Sequence, residues 1–195
     1  MTATAISIGV AVCIALESAI LARIILGWVA LPAFAAFLAA DVLFSGTMLV
    51  AGGGWMTPEY MHWYSAALPC VLGLLVAATV EAIGPVSRWP AVALVALVIV
   101  AQAATSAPAE TRCAILGACA AALVVAMTER RPQRHQVLLL CFVLAATVES
   151  LAICLGETGS LRPAAVLVAG QLVPLVGWWA WLGNSSACSS IADIG

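Results

Sequence analysis

The chain has 195 residues, 65% of them hydrophobic and 8% charged, with a mean hydropathy of +1.15 and a formal net charge of -2. That composition excludes a soluble domain of ordinary usage, and without a basic tract nothing points to nucleic acid as a partner. All seven basic residues are arginine, which excludes a retinal Schiff base and any lysine nucleophile.

The apolar stretches recur at roughly the 20-residue length that crosses a bilayer as helix, and they lack the period-2 alternation of a barrel. The expected fold is therefore all-α, a polytopic transmembrane bundle of about seven helices, with the lipid bilayer as its first partner. In chain order, the breakers and charges predict helices over residues 4–25, 32–51, 63–83, 90–106, 112–127, 136–155 and 161–182. Pro32 suits the first turn of the second helix, and the aromatic loop "GGGWMTPEYMHWY" before the third suits a headgroup region. Residues 1–184 read as one membrane domain and 185–195 as a short polar tail.

With seven spans, Arg23, Arg88, Arg130, Arg131 and Arg134 fall on one side and Arg112 and Arg162 on the other. The positive-inside rule then predicts a cell-membrane protein with its amino terminus outside and its carboxyl terminus cytoplasmic. "AATVEAIGPVSRWPAVALVA" at 77–96 and "AATVESLAICLGETGSLRPAAVLVA" at 145–169 form an internal repeat, with a weaker copy at 13–41. An offset of three spans makes the two halves inverted, a pattern suited to alternating access.

Four acids fall inside predicted spans: Glu17, Asp41, Glu81 and Glu149. An ionised carboxylate at the centre of a membrane helix costs about 2.5–3.5 kcal/mol on insertion scales, so each needs a partner, a proton or a water-filled cavity. Alanines three and four positions before Glu81 and Glu149 give these acids a face of small residues against which another helix can pack. Asp41 is deepest and has no arginine near it in sequence. Ser45, one turn on, is a candidate hydrogen-bond partner, and Gln171 lies at similar depth in the last helix. Gln171, Ser45 and Trp63 are the candidate substrate contacts.

Structural roles compete with these assignments. Glu81, close to the end of its span, reads first as structural, and Glu17 is placed to pair with Arg23. His62 and His135 read as interfacial, and the cysteines as small buried residues, so no metal or other cofactor is expected. Trp178, Trp179 and Trp181 read as an interface anchor, and Gly117 with Ala121 as a packing seam.

The stretches "GWVALPAFAAFLAADVLFS" at 27–45, "VEAIGP" at 80–85 and "LAATVES" at 144–150 give an acid in helix two and another late in the chain. In this the chain resembles the membrane-integral terpene cyclases of meroterpenoid and indole-terpenoid pathways. The resemblance implies protonation of a lipophilic prenylated substrate by intramembrane carboxyl groups, here Asp41 and Glu149, with no cofactor. It departs from that family in placing Asp41 after alanines where a glutamate beside tryptophan is typical. Its later acid, Glu149, lies in the penultimate span, where an aspartate in the last is typical. A small proton- or cation-coupled carrier is the rival reading, supported by the repeat. A structural subunit of a membrane complex is a third, and the chain also permits a homo-oligomer.

Overall fold

The computed structural model describes residues 3–26, 31–50, 58–84, 88–129, 134–154, 170–172, 175–177 and 179. It is all-α, with no strand among the described residues. Six helices are α1 (Ala3–Leu26), α2 (Pro32–Val50), α3 (Pro58–Ile83), α4 (Arg88–Ala104), α5 (Pro108–Glu129) and α6 (Arg134–Cys154). A seventh, α7, is described at residues 170–172, 175–177 and 179.

Proline sets three of the starts. Pro32, Pro58 and Pro108 each open a helix, at the position where a missing N–H costs nothing and a fixed φ is already helical. For α2 the expectation holds, and the Ala35 N–H donates to the Leu31 carbonyl at 2.9 Å. For α3 the expected start was residue 63. Much of the aromatic stretch belongs to the helix, because Pro58 initiates it earlier than the hydropathy rises. Similarly, α5 starts at Pro108 and carries Glu110 in its first turn, where a carboxylate complements the helix dipole. The connection before it is a local turn in which the Ala107 N–H donates to Thr105 Oγ1 at 3.1 Å.

Consecutive helices pack in pairs (α1 on α2, α2 on α3, α3 on α4, α5 on α6), and α3 also touches α5 and α6, which makes it the central helix. Small residues allow the closest approaches. A Cβ on Gly73 would lie 3.0 Å from Val95 Cγ1 and 3.2 Å from its Cα, so the α3–α4 spacing depends on that glycine. A Cβ on Gly170 would lie 2.6 Å from the Cβ of Ala145, so α7 is seated on the small face of α6 that "LAATVES" suggested. Phe37 of α2 meets Phe142 of α6 edge-on, ring centroids 5.6 Å apart. The expected seam at Gly117 does not form within the described chain: Gly117 has open space around it and Ala121 is exposed.

The surface is apolar where that of a water-soluble bundle is polar, and a few polar side chains are buried. Leu43, Trp89 and Leu97 are 72%, 83% and 63% exposed, while Glu17, Thr79 and Ser150 are at most 2% exposed. Outward apolar surface of this extent suits a hydrocarbon solvent. Three helical stretches, Ser7–Leu26, Ser65–Ile83 and Pro108–Glu129, are long and apolar enough to cross a membrane. The apolar runs Pro32–Thr47, Val92–Ala104 and His135–Val148 are shorter. The tail at 185–195 and the loop containing Arg130 and Arg131 lie outside the described residues, as does most of the span expected at 161–182.

Candidate functional site

The acids occupy different environments. Glu81, near the carboxyl end of α3, reaches the start of α2. Its two carboxylate oxygens accept the N–H groups of Ala33 at 3.1 Å and Phe34 at 3.0 Å. The first N–H groups of any helix lack intrahelical partners, and a carboxylate there satisfies them while facing the positive end of the dipole. Such a cap normally comes from the residue before the helix; here that residue is Leu31, which has no side-chain acceptor, and α3 supplies the group. Both oxygens of Glu81 are thereby occupied as acceptors. The structural role that its place near the end of the span suggested is the one these contacts fit.

Glu17 and Asp41 form the interior pair. Glu17 lies mid-way along α1 and is 1% exposed; Asp41 lies mid-way along α2 and is 6% exposed. Their carboxyl groups lie close together where α1 packs on α2. Neither oxygen of Glu17 has a hydrogen-bond partner among the described residues. Two carboxyl groups this close in an apolar interior repel each other when both are ionised. Asp41 also accepts from Gln171 Nε2 across a long 3.5 Å. The expected coincidence of depth between Asp41 and Gln171 is therefore a direct contact. Cys13, one turn before Glu17, faces the same two carboxyls.

Two expected pairings do not form. Among the described residues Ser45 is half-buried and makes no hydrogen bond to Asp41, which accepts instead from Gln171. Arg23 does not reach Glu17: its guanidinium carbon sits 4.4 Å above the ring of Trp179, a cation–π contact between α1 and α7. Trp63 stacks on Phe44 with centroids 5.4 Å apart and is partly exposed, so it backs the site and does not line it. Glu149 lies in α6, but its side chain is outside the described residues.

A cavity of about 70 Å³ opens beside Asp41. Its apolar walls include Phe37 and Phe44 of α2, Leu72 of α3 and Phe142 of α6; its polar groups are Asp41, Arg112, Ser150 and Gln171. Ser150 was expected only as a hydrogen-bond donor beside Glu149, and Arg112 carried no functional expectation. Arg112 served only to count charge, since sequence gives no sign that α5 brings it into a space shared with Asp41. Pro69 of α3 lies beside the lining residues Leu68 and Val71, and its missing N–H removes one ladder hydrogen bond at that level.

A larger groove of about 550 Å³ runs between α2, α3 and α4, lined by Pro32, Ala36, Leu74, Val95 and the engaged Glu81. Its lining is apolar apart from Glu81.

Comparison with known protein families, with curated proteins and with solved structures gives no match.

Proposed function

We propose that the protein is a multi-pass membrane carrier that couples movement of a small solute to a proton held between Glu17 and Asp41. The observation that carries this reading is the pair of buried carboxyl groups, Glu17 with neither oxygen hydrogen-bonded among the described residues and Asp41 opening onto a small cavity. An intramembrane carboxyl pair is costly to keep, and in a bundle interior such groups are characteristic of proton relays and ion pathways. A cavity of about 70 Å³ holds about five water-sized spheres, at roughly 10–15 Å³ each. That favours a small solute over a drug-sized or prenylated one, for which pockets of about 300–1,000 Å³ are usual.

In this reading the seven helices span the bilayer with the amino terminus outside and the carboxyl terminus in the cytoplasm. The Glu81 cap and the Arg23–Trp179 contact then lie at the cytoplasmic end, while Cys113 and Cys154 lie at the outer end. The internal repeat and Pro69 supply the symmetry and the softened helix that alternating access uses.

Terpene cyclisation remains the second reading, favoured by the phenylalanine rings of Phe37, Phe44 and Phe142 around Asp41, which could steady a carbocation. It requires the cavity to expand severalfold. The groove large enough for a prenyl chain offers only Glu81, whose oxygens are both accepting.

Proteoliposomes with a trapped pH dye separate the two. The carrier reading predicts proton movement driven by a gradient of a small solute, lost in Glu17→Gln and Asp41→Asn. No protein-dependent flux across a panel of small charged and neutral solutes, together with turnover of a prenylated epoxide by purified protein, would replace it with the cyclase.

A further inference from the structure

We infer that the cavity beside Asp41 is an oxyanion site, in which Arg112 and Ser150 bind a carboxylate or phosphate group. This rests on the carrier reading for its role in transport, but the site itself is argued from orphaned donors.

The Nε and Nη1 atoms of Arg112 are buried without a hydrogen-bond partner, and so is the hydroxyl oxygen of Ser150, whose residue is 1% exposed. Both residues line the same cavity. Two nitrogens of this half-buried guanidinium thus lack acceptors among the described residues, which is costly for a cation withdrawn from water. Such a group persists where a ligand supplies the missing anion.

Ser150 points the same way by contrast with its neighbours. A hydroxyl inside a helix ordinarily donates to the carbonyl one turn back. Thr79 does so to Leu75 at 2.9 Å, Thr111 to Ala107 at 3.0 Å and Thr147 to Val143 at 2.7 Å. Ser150, three residues after Thr147 on α6, does not, and its O–H remains available to the cavity.

Position and size define the ligand. Arg112 directly precedes Cys113 and Ser150 stands one turn before Cys154; the two sulfurs lie 3.9 Å apart, so both donors belong to the same end of the bundle. Asp41 is mid-way along α2, and its carboxyl accepts from Gln171. The anion would therefore sit at the Arg112 end, with the shared proton deeper in. A charged guanidinium matches a planar or tetrahedral oxyanion better than it matches a neutral solute. The volume suits the head group alone. Its source is either a free small anion or the head of an anionic lipid whose chains stay in the bilayer.

The test uses the full chain in nanodiscs. One arm titrates inorganic phosphate, and in parallel acetate, into protein held in phosphatidylcholine. The other replaces part of that lipid with phosphatidic acid and adds no free anion. Binding is followed calorimetrically in the first arm and by native mass spectrometry in the second. Saturable binding in either arm, weakened at least tenfold by Arg112→Gln and less by Ser150→Ala, is expected, and the responding arm names the source. Arg112→Lys, which keeps the charge and loses the fork, should fall between wild type and Arg112→Gln, and stands in if the latter fails to fold. No saturable binding in either arm, or binding that Arg112 substitutions leave unchanged, would overturn the site and leave water as its occupant. Glu17→Gln should retain anion binding. Binding without proton flux would remove the carrier reading and leave this site; flux in a protein that binds no anion would do the reverse.

Discussion

Replacing Glu81 separates structure from chemistry most cleanly. Glu81→Ala leaves the Ala33 and Phe34 N–H groups without acceptors at the start of α2. A buried donor left unsatisfied costs about 1–3 kcal/mol, and the lost charge at the helix start adds about 0.3–1 kcal/mol. The site is part-buried, so water recovers some of this, and a loss of about 2–4 kcal/mol is expected for the pair. Glu81→Gln keeps one oxygen acceptor and should lose about half as much. Reversible unfolding in mixed micelles, followed by circular dichroism, should rank the proteins wild type, Glu81→Gln, Glu81→Ala. Solute-driven proton flux per folded molecule should be retained in both. If Glu81→Ala were as stable as wild type yet inactive, the cap would be irrelevant and Glu81 would return to the chemistry.

Other consequences follow from packing and from the sulfurs. Gly170→Ala introduces a Cβ 2.6 Å from that of Ala145, so α7 must move by about 1 Å to reach an ordinary contact of roughly 3.5–4.0 Å. The expected cost is about 1–3 kcal/mol, with reduced flux because Gln171 moves with Gly170. Gly117→Ala, in open space, should be neutral or raise stability by up to about 1 kcal/mol; thermal unfolding of both variants checks the contrast. Cys113 and Cys154, with sulfurs 3.9 Å apart on exposed helix ends, should form an α5–α6 crosslink when a mild oxidant is added. Mass spectrometry of the linked peptides reads this out. Protection of the pair from a membrane-impermeant thiol reagent in intact cells would reverse the proposed orientation.

The bundle was legible because its solvent is written into its composition: long apolar runs, aromatic flanks and prolines at helix starts each carry a local physical signal. The starts of α3 and α5 were misplaced because proline initiates a helix before hydropathy rises. At the site, the depth of Asp41 and its match with Gln171 could be read from spacing along their helices. The partnership of Glu17 with Asp41 could not, since it depends on the rotation of α1 against α2. Glu81 carries the same sequence signature as Glu149, yet its role is fixed by Leu31, which leaves the start of α2 without an acceptor of its own. Arg112 was hidden for a similar reason. A cation in the first turn of a helix reads as a topology marker until tertiary packing puts it beside a cavity.

The central claim, that Glu17 and Asp41 hold one proton between them, is tested most directly by infrared difference spectroscopy of the protein in lipid at neutral pH. A carboxylic-acid C=O band that shifts on exchange into deuterium oxide, and that is lost or displaced in both Glu17→Gln and Asp41→Asn but kept in Glu81→Gln, is the predicted result. A spectrum in which every carboxyl group is ionised at neutral pH would contradict it.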